Sequence, residues 1–396
     1  MTIEDLQYFN TKEGRSWLEK YKHLSDDELE MLAFSLVKQN VPHYPYLITL
    51  LKLRKKAKGK FSLADKMFFD SLSLEMATSE KIGRHIAERF KKMAKIGDLT
   101  CGIGGNAIFL AKNSKVLAVD LEKTNIEMAR LNARAYGVEK NMDFIVGNAF
   151  FHIEKDIDAF FLDPMRTREG KSKTRSIFNT MPRLNEILPR IFEVTKNVCV
   201  KISPAFDYKE VLNLVEKPEI ELISENNENR VALLWFGDFK RQERKASLFV
   251  CDKKIQIVNA NELEEIEIIE KPLEYIYEPN KAIIKAHLID EMASEFGLVK
   301  INKNIAFLTK NSLISEGKDK FRIFRISEYK PFSIKELKKD LKKLNKERIS
   351  VINRGTPIFP EKLIKDLGLK DGNEIFVLLT KLKNDKNYYI LSEMIK

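Results

Sequence analysis

The chain has 396 residues, 44% of them hydrophobic and 10% aromatic, which indicates two or three folded domains and excludes a disordered protein. Its 69 Lys and Arg against 58 Asp and Glu give a net charge of +11. This charge favours a polyanionic partner such as nucleic acid, although a compositional bias toward lysine produces the same value.

The lengths of the apolar runs and the spacing of the cysteines indicate where the protein is located. The sequence has no run of 18 apolar residues and begins with a polar, acidic segment, so we expect no membrane span and no secretory signal. Three scattered cysteines, without disulfide-type or metal-type spacing, predict a reducing, cytoplasmic location and no structural metal.

The first 90 residues are predicted to be helical. Apolar residues recur at helical spacing over 27–38, a second apolar run covers 47–53, and the basic segment 52–60 overlaps its end. Thr78 or Ser79 is expected to cap a further helix over 81–90.

Short apolar runs then alternate with helical stretches from about residue 96 to 258, which is typical of a parallel α/β sheet. The predicted strands are 95–99, 115–119, 143–146, 159–162 and 197–202, with 230–236 and 248–251 as antiparallel strands at one edge.

The remaining residues predict a separate α+β unit that follows a linker at 271–279. Its expected helices are 280–296 and 333–344, and its expected strands are 321–327, 348–353, 374–382 and 388–391. Residues 301–350 contain 14 Lys and Arg against 6 Asp and Glu, which favours a nucleic-acid surface over a merely solvated helix face.

A glycine-rich turn follows the first predicted strand of the sheet. Asp98 ends the strand, and Gly102, Gly104 and Gly105 fill the turn before a helix that starts near Asn106. Glycines let the backbone approach a ligand, and the N–H groups of a helix N-terminus bind an anion such as a carboxylate. Asp120, at the end of the next strand, can accept both ribose hydroxyls of a nucleoside.

Residues 102–107 also fit the G-x-G-x-x-G/A fingerprint of dinucleotide-binding proteins. Two features favour S-adenosylmethionine over a nicotinamide cofactor. Asp98 suits the cationic ammonium of S-adenosylmethionine and opposes a pyrophosphate. The Asp163-Pro164 turn follows the fourth strand, which lies beside the first strand in a doubly wound sheet, so both turns should face one crevice.

The turn after the third predicted strand contains Gly147, Asn148 and Ala149. Folds of this kind place a side chain here against the adenine amine, and the amide oxygen of Asn148 can accept that hydrogen bond. The alternative is a polar turn without a ligand.

These residues together resemble the class I methyltransferase fold. Residues 78–87 and 98–108 are similar to the trimethylguanosine synthase type of RNA guanine methyltransferase. The whole chain resembles bacterial and archaeal relatives with an added THUMP-like domain, at residues 201–204, 235–237, 277–280 and 330–332. The resemblance implies a seven-stranded Rossmann-like sheet, S-adenosylmethionine as methyl donor and RNA as substrate.

The resemblance and the turns together predict an N-terminal helical region over 1–90, a methyltransferase domain over 91–265 and a THUMP-like domain over 272–396. The residues predicted to bind the cofactor are Thr78, Asp98, Cys101, Gly102, Gly104, Asp120, Leu121, Asn148 and Ala149.

The predicted catalytic residues are Asp163, Pro164 and Arg166. Enzymes that methylate exocyclic amines typically carry Asp/Asn/Ser-Pro-Pro and an aromatic residue, which accept hydrogen bonds from the amine and stack on the base. Here Met165 replaces the second proline and Arg166 the aromatic residue. A guanidinium can stack on a base and pair with phosphate. The alternative is a common Asp-Pro strand-end turn.

Five cations follow the Asp-Pro pair and are predicted to contact substrate phosphates, with a solvated loop as the alternative: Arg166, Arg168, Lys171, Lys173 and Arg175. Three functional hypotheses remain open. The protein methylates a ring or exocyclic nitrogen of a base in RNA, binds S-adenosylmethionine or RNA without catalysis, or methylates a protein or a small molecule.

Overall fold

A computed structural model of the chain describes residues 1–167 and 176–395. The chain divides into two compact units, Met1–Pro218 with Leu233–Arg241, and Glu219–Ala232 with Gln242–Lys396. The three domain boundaries expected from the sequence remain a prediction. Across the described ranges, no helix combines the length and apolar character that crossing a membrane requires.

The N-terminal part of the first unit is helical, as the apolar spacing predicts. Capping boxes start three of its described helices, with Thr2 and Asp5 at the first, Ser25 and Glu28 at the third, and Asp70 and Ser73 at the fifth. Ser79, not Thr78, is the N-cap of the last one. The helices are α1 (Ile3–Asn10), α2 (Lys12–Tyr21), α3 (Asp26–Lys38), α4 (Tyr44–Ala57), α5 (Ser71–Met76) and α6 (Glu80–Phe90).

In the described residues, the α/β part of the first unit contains five parallel strands and a pair of two-residue antiparallel strands. The strands are β1 (Lys95–Asp98), β2 (Lys115–Asp120), β3 (Met142–Val146), β4 (Ala159–Leu162), β5 (Met165–Arg166), β6 (Thr180–Met181) and β7 (Val198–Ile202). The helices are α7 (Ala107–Leu110), α8 (Lys123–Ala135), α9 (Leu184–Phe192) and α10 (Tyr208–Leu212). Strand β1 pairs in parallel with β2 and with β4, as the sequence predicts for the first and fourth strands.

Four more strands continue the sheet: β8 (Glu219–Glu225), β9 (Glu228–Trp235), β10 (Arg244–Val250) and β11 (Lys253–Val258). The strand order is β11-β10-β8-β9-β7-β4-β1-β2-β3, so the sheet has nine strands instead of the expected seven. The edge is not wholly antiparallel either, because β10 pairs antiparallel with β11 but parallel with β8.

The C-terminal α+β fold is confirmed. Its strands are β12 (Tyr275–Pro279), β13 (Val299–Lys300), β14 (Leu308–Lys310), β15 (Phe321–Pro331), β16 (Arg348–Asn353), β17 (Lys370–Asp371), β18 (Ile375–Lys381) and β19 (Asn387–Met394). Its helices are α11 (Lys281–Lys285), α12 (Ile289–Phe296), α13 (Ile334–Lys343) and α14 (Pro360–Leu367). The strands form one sheet in the order β13-β14-β12-β15-β19-β18-β16-β17.

Two sequence predictions for this unit are wrong. The expected linker at 271–279 contains β12, whose Tyr277 is fully buried and pairs with Leu308 and Ile323. The expected helix at 280–296 is split into α11 and α12, because His287 between them has a left-handed backbone with a φ of 57°.

Candidate active site

A cavity of about 490 Å³ opens at the carboxyl ends of β1, β2, β3 and β4. Ligands of parallel α/β sheets bind at this edge, where the strand order reverses. Of the predicted cofactor residues, seven line the cavity: Thr78, Cys101, Gly102, Asp120, Leu121, Asn148 and Ala149. Asp98 and Gly104 are not among the lining residues.

The glycine turn holds two residues in the left-handed region, Gly102 with a φ of 52° and Gly104 with a φ of 83°. A Cβ added to Gly104 would lie 3.3 Å from the Cβ of Ala129 on α8, whereas one on Gly102 would meet no atom within 4 Å. The turn thus needs glycine at both positions for its conformation, and at Gly104 also for close packing.

Asp120 is held by three donors from the turns around it. Its Oδ2 accepts from the Gly102 N–H at 2.9 Å, and its Oδ1 accepts from the Glu122 N–H and from Asn125 Nδ2, each at 3.0 Å. These bonds fix the carboxylate at the cavity wall. Oδ2, with one donor, keeps an acceptor position for a ribose hydroxyl.

Asp98 is the buried acid of the site, with 1% of its surface exposed. Its Oδ1 accepts from the Thr100 N–H at 3.3 Å, and its Oδ2 has no hydrogen-bond partner in the described structure. Burial raises the pKa of Asp98 well above its usual range, and the charges of Asp163 and Asp120 raise it further.

The site therefore fits S-adenosylmethionine better than a dinucleotide. The buried Oδ2 of Asp98, which has no partner in the described structure, suits an ammonium group, and the glycine turn next to it suits a carboxylate. The carboxylates of Asp120 and Asp163 at the cavity wall would repel a pyrophosphate.

The turn after β3 forms another part of the cavity wall. Asn148 Oδ1 accepts from the Phe150 N–H at 3.0 Å, so the oxygen that we expect to bind the adenine amine keeps one acceptor position. Phe150 lines the cavity, and the Arg190 guanidinium carbon lies 5.0 Å from the centre of its ring.

Asp163 lines the cavity directly after β4. Its N–H donates to Thr100 Oγ1 at 2.6 Å, and its Oδ2 lies 2.5 Å from Nζ of Lys201, which is only 8% exposed. Sequence reasoning noted Lys201 only as part of the resemblance, without a role. Its position follows from the register, because β4 pairs with β7 at Leu162 and Val200, one residue before each partner.

The other predicted catalytic and substrate residues lie elsewhere. Pro164 is buried and Arg166 is exposed, and neither lines the cavity. Instead Met165 and its cross-strand partner Met181 line it, 52% and 49% exposed. The remaining predicted substrate residues lie outside the described residues: Arg168, Lys171, Lys173 and Arg175.

Helix α5 supplies a part of the rim that sequence reasoning missed. Leu72, Ser73 and Met76 line the cavity, with Leu72 61% and Met76 48% exposed. The available signal was the pair Asp70 and Ser73, which forms a capping box at the start of α5. Within residues 1–167 and 176–395, no three His, Cys, Asp or Glu side chains form a potential metal site.

Three family models match successive parts of the chain. The first, RNA cap guanine-N2 methyltransferase, matches residues 93–204. A ferredoxin-like domain model matches residues 275–316, and a THUMP domain-like model matches residues 321–393.

Relatives are found over most of the chain and over short parts of it. An uncharacterized S-adenosylmethionine-dependent methyltransferase of Mycobacterium tuberculosis is 25% identical over 346 residues, which is 85% of this chain and 93% of the relative. The 23S rRNA (uracil(1939)-C(5))-methyltransferase RlmD of Neisseria lactamica is 32% identical over 80 residues, 18% of each protein.

A crystal structure from Porphyromonas gingivalis W83, which was assigned as a methyltransferase, has the same fold. It superposes with a TM-score of 0.80 at 19% identity and covers 99% of this chain and 98% of its own. The comparisons confirm the class I methyltransferase resemblance, the THUMP-like domain and S-adenosylmethionine as the cofactor.

Proposed function

The chain is a class I S-adenosylmethionine-dependent methyltransferase with a C-terminal THUMP-like domain, and from this premise we propose that it methylates a ring or exocyclic nitrogen of a base in RNA. One observation carries the proposal. The Asp163 carboxylate faces the same cavity as the glycine turn, beside an apolar rim formed by Met165 and Met181. The match to an RNA cap guanine-N2 methyltransferase model and the relationship to RlmD support RNA as the substrate.

In this proposal Asp163 accepts a hydrogen bond from the amine. Lys201 holds Oδ2, so Oδ1 is the oxygen that remains to orient the N–H and to stabilise the positive charge that develops on nitrogen. Thr100 fixes the backbone of Asp163. The cofactor supplies an electrophilic methyl group on a sulfonium, so correct placement of the amine provides most of the rate enhancement.

In this proposal the exposed apolar rim of the cavity contacts the base. Met165, Met181, Leu72 and Met76 present apolar side chains at the cavity mouth, three of them polarizable thioethers. Such side chains contact aromatic rings favourably, and a base that enters the cavity would cover them. Arg166 lies on β5 beside Met165 and is proposed to contact a phosphate next to that base.

A second candidate is a protein that binds the cofactor but does not transfer the methyl group. Met165 stands where related amine methyltransferases have proline, and Lys201 already occupies one oxygen of Asp163. Both features reduce the acceptors that an amine would meet.

Transfer of a tritiated methyl group tests the proposal. The full-length protein is incubated with labelled S-adenosylmethionine and with RNA, protein or small-molecule extract from cells that lack it. We expect label in RNA, in a nitrogen-methylated nucleoside identified by mass spectrometry, and loss of label with Asp163→Ala, which removes both acceptor oxygens. The control Asp143→Ala changes an exposed carboxylate on β3 and should keep activity. Label in protein or small molecules only, or in none of the fractions, would contradict the proposal.

A further inference from the structure

A second cavity of about 410 Å³ lies between the N-terminal helices and α8, away from the residues that line the first cavity. It is lined by four cationic and two acidic side chains, Arg15, Arg54, Lys66, Arg134, Glu19 and Asp65, together with apolar residues and Asn10, whose Oδ1 accepts from Arg15 Nη2 at 2.5 Å.

Ion pairs with residues outside the cavity already occupy both acids and one of the cations. Glu19 pairs with Lys22 at 2.6 Å and Asp65 with Lys58 at 3.4 Å. Arg134 pairs with Glu139 at 2.6 Å. Three cations therefore remain without an acidic partner in the described part of the chain: Arg15, Arg54 and Lys66.

Arg54 is the exceptional member of this group because it is buried, with 8% of its surface exposed. Its Nε donates to the Met67 carbonyl at 2.8 Å, and its guanidinium carbon lies 5.3 Å from the centre of the Phe68 ring. Neither Nη atom has an acceptor among the described residues. Burial lowers the pKa of Arg54 to about 10.

Neither Nη atom of Arg54 is among the buried polar atoms that lack a partner, so both are accessible from the cavity and can bind an acceptor there. The two Nη atoms of arginine match two oxygens of one phosphate group. Arg15 and Lys66 are exposed at the mouth of the same cavity, and they add charge without burial.

We propose that this second cavity is a phosphate-binding site, in which Arg54 binds two phosphate oxygens and Arg15 and Lys66 neutralise the remaining charge. The phosphate belongs either to an RNA backbone or to a free phosphate compound. Only the RNA source rests on the function proposed above, because the free source requires no methyl transfer.

Thermal denaturation of the full-length protein tests the site without RNA. Sodium pyrophosphate, compared with sodium chloride at equal ionic strength, should raise the Tm of the wild type. The rise should disappear in Arg54→Met and in the double variant Arg15→Gln/Lys66→Gln. The double variant changes exposed residues only, so it keeps the test valid if Arg54→Met does not fold. The control Lys38→Gln/Lys56→Gln removes two exposed charges of the same helical region and should keep the rise.

A second measurement distinguishes the sources of the phosphate. The affinity for a structured RNA is measured against salt concentration for the wild type and the double variant. If the ligand is a backbone phosphate, the slope of log K against log salt should fall by about 0.9 for each phosphate that the variant no longer neutralises. A Tm response without a slope change indicates a free phosphate compound, and a slope change indicates RNA. A wild type that shows neither effect contradicts the proposal, even if RNA methylation is intact.

Discussion

Asp98 Oδ2 is buried and has no hydrogen-bond partner in the described structure. This feature distinguishes the end of β1 from an ordinary strand end and indicates a cofactor site. A carboxylate with 1% exposure and one weak backbone donor gains little from being ionised in the free protein. It gains a partner when a cation arrives. Asp98 should therefore reduce the stability of the free protein and increase its affinity for the cofactor.

Asp98→Asn tests both effects. Because the pKa of Asp98 is raised by burial, the folded state keeps a proton that the unfolded chain loses above about pH 4. Wild-type stability should thus fall as pH rises above that value, and the variant should gain stability relative to it as pH rises above about 4. Urea unfolding without cofactor measures this difference. Calorimetry should show an affinity for S-adenosylmethionine that is about 10–100-fold lower. Equal affinity would mean that Asp98 does not contact the cofactor.

Lys201 is a positioning residue that acts through Asp163. Lys201→Met removes the partner at 2.5 Å and lets the carboxylate leave its orientation. We expect kcat for the methyl acceptor to fall about 100-fold, since misplacement by about 1 Å has such an effect. The affinity for S-adenosylmethionine should change little. Lys201→Arg keeps the charge and should restore part of kcat. A loss of cofactor affinity equal to the loss of kcat would indicate a merely structural role.

The central strands of the sheet were predictable because each is a short apolar run that ends at a polar turn. Strand β4 was predicted at its observed bounds, since a short apolar run ends at Asp163. Strand β8 was missed because Glu219 and Glu221 are acidic residues, which are depleted in strands and rarely buried, and yet both are fully buried here. Ser247 Oγ, 2.5 Å from Glu221 Oε1, and Lys245 Nζ, at 3.3 Å, satisfy that carboxylate.

The position of the cavity was predictable from the sequence, but some of the side-chain pairs that line it were not. The turns after β1 and β4 meet because parallel strands end at one edge, which strand order alone predicts. The pair of Asp163 and Lys201 was not predictable, since its residues are 38 positions apart and depend on the register of β4 with β7. The contact between Met165 and Met181 was not predictable either. It depends on the pairing of two strands of only two residues each, which are too short to give a sequence pattern.

Alanine substitutions in the glycine turn should separate its two functions. Gly104→Ala and Gly102→Ala both place a Cβ at positive φ, which costs about 1 kcal/mol. Only at Gly104 does the Cβ also press on Ala129, so this variant should lose more free energy of unfolding. At Gly102 the Cβ enters the cavity, so that variant should lose more affinity for S-adenosylmethionine. Urea unfolding and calorimetry on both variants make the comparison, and the reverse pattern would contradict the packing argument.

Asn132 of α8 joins the helical N-terminal region to the glycine turn. It is fully buried, its Oδ1 accepts from the Phe68 N–H at 2.7 Å, and its Nδ2 donates to the carbonyls of Phe68 and Ile103, each at 3.1 Å. Asn132→Ala leaves three buried backbone groups unpaired and should lower the free energy of unfolding by about 3 kcal/mol. The exposed Asn113→Ala is the control, with a change within about 0.5 kcal/mol. Similar urea midpoints for both variants would show that water replaces these bonds.

The net charge of +11 is unevenly distributed over the molecule. Helix α13 buries Leu337 and Leu341, whereas the lysines on its other side are exposed and have no acidic partner within the described residues: Lys335, Lys338, Lys339 and Lys342. Four lysines are more than the face needs to remain solvated. Because unpaired cations on one helix face repel each other, this arrangement destabilises the helix. This concentration favours a phosphate-contacting surface over a general excess of lysine.

Neutralising that face tests whether the THUMP-like domain contributes to RNA binding. We expect replacement of its four exposed lysines by glutamine to weaken RNA binding and to lower the slope of log K against log salt by about 0.9 for each phosphate that these lysines neutralise. The control replaces the same number of exposed lysines of the same unit, Lys362, Lys365, Lys383 and Lys386. An equal slope change in both variants would indicate that only total charge matters. A smaller change of slope in the control would indicate that RNA phosphates contact α13. Lysines that contact a phosphate release its counterions, whereas lysines far from the RNA do not.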